Sequence, residues 1–78
     1  MMNDIDVITK PARVIRIKDL QSMIGIGRST IYDWINPKSP RFDQTFPAPF
    51  KLGGASVGWL LEEVCEWIQA RSEVGRIR

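Results

Sequence analysis

The chain has no histidine and a single cysteine, Cys65. Without histidine it lacks the commonest general base and metal ligand. One thiol builds no disulfide framework, no CxxC pair and no zinc knuckle, and it fits a reducing cytoplasm better than secretion. Long apolar runs are missing as well. Nothing approaches the roughly 18 residues of a membrane span, and the first residues carry Asp4 and Asp6 where a leader would be basic and then apolar. Internal repeats, low-complexity tracts and coiled-coil heptads are also absent. Seventy-eight residues leave room for one small domain, which buries about 60–65% of its unfolded surface and has little stability to spare. The expectation is a soluble intracellular domain that is not an enzyme and uses no cofactor, metal, small-molecule ligand or membrane.

What charge there is lies unevenly. Eleven Lys and Arg against nine Asp and Glu give a net +2. Residues 1–9 hold −2; residues 10–51 hold eight basic against three acidic side chains, or +5; residues 52–78 hold three arginines against four glutamates, or −1. The middle of the chain is where a polyanion would bind. An ordinary solvated surface is the plainer alternative.

Residues 1–12 end in Pro11-Ala12 and carry little pattern, which suggests a flexible arm. Arg13-Val14-Ile15-Arg16-Ile17 is β-branched and alternating, a short strand or extended segment. Leu20, Met23 and Ile24 then share one face of a short helix over 18–24 that depends on packing. Gly25-Ile26-Gly27 breaks it: Gly25 supplies a left-handed cap, Ile26 plugs inward, and Gly27 is a permissive start for the next helix. That helix runs from Arg28 to Asn36-Pro37, where the residue before proline leaves helical geometry. Its Ile31, Trp34 and Ile35 form an apolar face, and Arg28, Ser29, Tyr32, Asp33 and Asn36 form a polar one. Residues 38–45 read as a polar loop. From Phe46 to Leu52 the chain reads as extended, with Phe46, Phe50 and Leu52 in step and prolines that confine it to a sheet edge. Gly53-Gly54 is a tight hairpin signal. A third helix starts at Leu60 or Leu61 and runs to about Glu73, with Leu60, Val64, Trp67 and Ile68 at helical spacing, and Gly75 stops it. Residues 13–74 thus form one domain and 75–78 a tail.

Two short amphipathic helices joined by Gly-Ile-Gly make a helix-turn-helix whose second member presents its outer face. Arg28 and Ser29 occupy its first turn, where free N–H groups favour phosphate. Arg28 can pair with guanine through two parallel hydrogen bonds, Tyr32 reaches a phosphate or base edge one turn on, and Asn36 extends the stripe; Lys18 and Thr30 complete the helix-turn-helix candidates. The hairpin over 50–57 adds Gly53 and Gly54, which allow close backbone approach, and Lys51 and Ser56 beside the tip. In isolation a Gly-Gly pair is more often just a turn. The fold class expected is α+β, mostly α: a small winged helix-turn-helix with three short helices and a β-hairpin wing, helix 28–36 in the major groove and the wing on the backbone.

Four blocks resemble one family: Arg16-Ile17-Lys18-Asp19-Leu20, the stretch from Gly25 to Tyr32, the stretch from Phe46 to Gly54, and Val57-Gly58-Trp59-Leu60 with Glu63-Val64 and Glu66-Trp67-Ile68. Together they look like the AlpA family of prophage-encoded regulators, in the MerR superfamily and related in fold to phage excisionases. The resemblance covers roughly residues 14–71. It implies sequence-specific binding of double-stranded DNA near mobile-element genes, acting on transcription, excision or both, in the bacterial cytoplasm at the nucleoid. One winged unit reads only a few base pairs, so self-association on repeated sites would supply the missing specificity. The chain departs from that pattern at Gly27, where the family often has a serine cap, at Asp33, where a basic residue is common, and at Ala55, where arginine is usual. Asp33 either points away from phosphate or accepts from cytosine, and Ala55 leaves Lys51 and Ser56 to carry the wing contact.

Other features read as structural. Trp34, Trp59 and Trp67 lie at core spacing rather than as base-stacking platforms. Cys65 has no activating cation in sequence and reads as a small buried or half-buried thiol. Glu62, Glu63 and Glu66 read as a solvated helix face. Two other functions compete with a transcription regulator. One is an excisionase that bends attachment-site DNA; the other is an interaction module that docks an integrase or polymerase subunit through the third helix and tail.

Overall fold

A computed structural model describes residues 12–77. The arm expected over 1–12 therefore lies outside the described residues except for Ala12, as does Arg78 at the end of the tail. Three helices and a three-stranded antiparallel sheet follow in the order β1 (Val14–Ile15), α1 (Ile17–Ile24), α2 (Arg28–Ile35), β2 (Phe50–Gly53), β3 (Ser56–Leu60) and α3 (Leu61–Val74).

Strand β3 is central, with β1 on one side and β2 on the other. Val14 faces Leu60 and Ile15 faces Trp59; Phe50 faces Gly58 and Lys51 faces Val57. The prolines at 47 and 49 precede an edge strand, where their missing N–H groups cost no ladder hydrogen bond. The first strand is shorter than its alternating pattern suggests, because Arg16 already serves as the N-cap of α1 and Ile17 begins it. The Arg13 carbonyl then accepts from the Leu61 N–H at 2.8 Å, which ties the start of the domain to the start of α3.

Ile15, Leu20, Ile31, Trp59 and Val64, one each from β1, α1, α2, β3 and α3, form the core with Phe46 from the segment before β2. Burying side chains of this size is worth about 1.5–3 kcal/mol each. Ile17, Ile24, Ile26, Trp34, Ile35, Leu61, Trp67 and Ile68 pack around them, partly buried. The helix-turn-helix is built by local rules. Gly25 takes the left-handed conformation at φ 68°, and its N–H donates to the Gln21 carbonyl at 2.8 Å. Ile26 is half-buried against the core, and Gly27 caps α2 without a side-chain hydrogen bond.

Several expectations need correction. Helix α2 ends at Ile35, not 36: Asn36 is its extended C-cap at ψ 111°, as the following proline requires. The strand expected from Phe46 begins only at Phe50. Phe46 itself is buried, whereas Phe50 and Leu52 are 39% and 44% exposed on the wing. The tight turn is Gly54-Ala55 rather than Gly53-Gly54, since Gly53 pairs with Ser56 beyond a register shift between Lys51 and Gly53. Gly54 holds the left-handed position, at φ 53°. Leu60 ends β3 and caps α3, so it does not belong to the helical repeat, and α3 continues to Val74. Cys65 is exposed, not buried or half-buried. One residue beyond buried Val64 turns the side chain by about 100°, past the edge of the stripe formed by Leu61, Val64, Trp67 and Ile68.

Candidate nucleic-acid interface

Helix α2 is short, and its packing decides what it shows to solvent. Ile31 is fully buried, and Trp34 and Ile35 rest on the core. Arg28, Ser29, Tyr32 and Asn36 are exposed on the opposite side. None of them is walled in: Tyr32 keeps 43% of its surface. Thr30 and Asp33 are half-buried on the flank of this face. The first turn of α2 contains no acidic residue, and Gly27 offers no side-chain cap. The N–H groups of that turn, with Arg28 and Ser29 beside them, are therefore available to an external anion. Asn36 is partly engaged, because its Oδ1 accepts from the Lys38 N–H at 3.0 Å and closes a turn. Its amide N–H groups stay available to a nucleotide.

The other candidates lie on separate elements. Lys18 is exposed near the start of α1. Lys51, Gly53, Gly54 and Ser56 are exposed on the hairpin, with the two glycines and Ser56 at its tip. The wing presents one lysine beside exposed Phe50 and Leu52, and a nearly bare backbone at its tip, in keeping with Ala55 at the position where the resemblance leads one to expect arginine.

Behind α2 lies an arrangement that local sequence patterns do not announce. The rings of Trp34, Phe46 and Trp67 meet at centroid distances of 5.4, 5.8 and 4.9 Å. The Arg71 guanidinium lies 5.2 Å from the Trp67 ring. It also reaches Asp43 at 2.8 Å across 28 positions of sequence. The Thr45 hydroxyl and N–H, with the Arg71 charge, hold the Asp43 carboxyl below its ordinary value despite partial burial. The polar-loop reading of residues 38–45 does not single out Asp43; its Asp-x-Thr spacing is a local turn signal, and the partnership with Arg71 carries no sequence signal.

A helix-turn-helix with an exposed polar second helix, followed by a glycine-tipped antiparallel hairpin and a packing helix, defines a small winged helix-turn-helix domain. No helix among the described residues is long and apolar enough to cross a membrane. The chain belongs to the family of the prophage CP4-57 regulatory protein (AlpA), whose model matches residues 13–72. It is 47% identical over 62 residues to the DNA-binding transcriptional activator AlpA of Escherichia coli (strain K12), covering 80% of this chain and 89% of that relative. It is 36% identical over 59 residues to the uncharacterized protein ORF88 of Enterobacteria phage P4, covering 76% of this chain and 60% of that protein. No solved structure matches the chain.

Proposed function

We propose that this chain is a sequence-specific DNA-binding transcriptional regulator of the AlpA type, acting by binding rather than catalysis. The observation that carries this reading is the division of α2 into a buried face anchored by Ile31 and an exposed face of Arg28, Ser29, Tyr32 and Asn36. Family membership and the name of the Escherichia coli relative support it.

Each residue has a role in this reading. Arg28 pairs with a guanine edge in the major groove, Tyr32 and Asn36 touch bases or phosphates further along, and Ser29 joins the helix N–H groups on a phosphate. Thr30 and Asp33 flank that contact. Lys18 meets the backbone from α1, and Lys51, Gly53, Gly54 and Ser56 meet it from the wing. The binding unit is residues 13–74, with the arm 1–12 and the tail 75–78 on either side. One module of this size buries about 600–1,000 Å² of protein surface on DNA, so self-association on repeated sites supplies further specificity at the nucleoid.

Selection from random-sequence duplex, with wild type and Arg28→Ala in parallel, tests the reading. The variant is expected to lose about 1–3 kcal/mol and to relax one base position. An Arg28→Ala variant with unchanged base preference would move the readout off this helix. A wild type that enriches no sequence would overturn the function.

A further inference from the structure

Asp43 lies in the segment that joins α2 to the hairpin, and it reaches three parts of the fold at once. Its backbone N–H donates to the Trp34 carbonyl, in the last turn of α2, at 2.9 Å. One carboxylate oxygen accepts from the Thr45 N–H at 2.9 Å and from the Thr45 hydroxyl at 2.6 Å. The other accepts from the Arg71 guanidinium on α3 at 2.8 Å. Among the described residues this is the only ion pair.

The bonds continue into the packing below. Thr45 accepts from the Trp67 indole N–H at 3.4 Å, and Trp67 packs against both Trp34 and Phe46. Phe46 stands just before the proline segment that leads into the wing. The end of α2, the segment leading to the hairpin and the last turn of α3 therefore meet at one residue, α2 through its main-chain N–H and the other two through its carboxylate. A partly exposed ion pair contributes little to stability, about 0–1 kcal/mol, so stability alone is a weak account of so many converging bonds. A molecule that grips one duplex at two points gains from the second contact only if the spacing between the two is held.

We propose that Asp43 is a positioning residue for DNA recognition, fixing α2 against the hairpin through Trp34, Thr45 and Arg71 so that both engage one duplex together. The inference rests on the DNA-binding reading above. Asp43 does not itself touch nucleotides: Arg71 and Thr45 occupy its carboxylate, and a free anion at the interface would repel phosphate.

The test uses the full chain and a duplex recovered from random-sequence selection. Binding is read by fluorescence anisotropy at a temperature where circular dichroism shows every variant folded. Asp43→Ala is expected to weaken binding about five- to tenfold. Asp43→Asn, which keeps one acceptor oxygen for Thr45 and loses the oxygen that meets Arg71, should fall between Asp43→Ala and wild type. Adding Arg71→Ala to Asp43→Ala should cost nothing more, since the two share one bridge. Lys51→Ala should cost clearly less in the Asp43→Ala background than in wild type, because the wing contact no longer adds to a fixed helix. A purely structural role predicts the opposite: folded Asp43→Ala binds like wild type, and the Lys51→Ala loss is the same in both backgrounds. Either result overturns the inference. If wild type selects no duplex at all, the DNA-binding reading has failed first.

Discussion

The indole N–H of buried Trp59 donates to the carbonyl oxygen of Pro47 at 3.0 Å. Trp59 sits on the central strand and Pro47 in the segment that leads into β2, so this bond seats the root of the hairpin on the core. Trp59→Phe removes the donor, leaves a half-buried carbonyl unpaired and opens a void. The expected loss is about 2–4 kcal/mol, measured by urea unfolding with an unchanged m-value.

Gly58 gives a second test, this time of close approach. A Cβ built there would lie 2.6 Å from Val14 Cγ1 and 3.1 Å from the Ile15 carbonyl oxygen. Val14 is 43% exposed and can move aside, but the backbone oxygen belongs to the ladder between β1 and β3. Gly58→Ala should destabilise by about 1–3 kcal/mol. A melting temperature equal to wild type would show that β1 yields more easily than its pairing suggests.

Salt should separate phosphate contacts from base contacts. If the interface neutralises about five phosphates, log K falls against log salt with a slope of about −4.5. Lys51→Ala should reduce that slope by about 0.9 and weaken all sequences alike, whereas Arg28→Ala should change the ranking of sequences. Titrations at several salt concentrations on cognate and scrambled duplexes distinguish the two.

The Asp43 carboxyl gives a pH dependence of known sign. The Thr45 hydroxyl, with the Thr45 N–H and the Arg71 charge, lowers its folded-state pKa from the ordinary 3.8. A lowered carboxylate pKa contributes stability above the unfolded value and loses it as pH falls through the folded one. The contribution is therefore complete at neutral pH, begins to fall near the unfolded value of 3.8 and is gone only below the lower folded-state one. With Arg71 well exposed it amounts to under about 1 kcal/mol. Asp43→Asn should flatten this part of the acid limb in melting curves and leave the neutral range lower by the same amount.

The parts of this fold that were legible in sequence obey short-range rules. Gly25 capping, the Arg28 start of α2 and the Asn36-Pro37 stop each follow from neighbours within four residues. The exposure of Arg28, Ser29, Tyr32 and Asn36 followed from the spacing of Ile31, Trp34 and Ile35 alone. Features set by distant partners were not legible. The two residues of β1 carry no sign that they pair with β3. The register shift near Leu52, which moves the turn to Gly54-Ala55, depends on the strand opposite. Cys65 was misjudged because residue type was weighed above its place on the helical wheel. Asp43 and Arg71 looked like ordinary charges until the aromatic rings beneath brought them together.

Because β1 pairs only with Trp59 and Leu60, the outer half of the hairpin is a ribbon of two strands, while its root belongs to a sheet of three. Ribbons of two strands twist more than wider sheets. The domain thus carries a more strongly twisted tip of two strands on a base of three, along one continuous backbone.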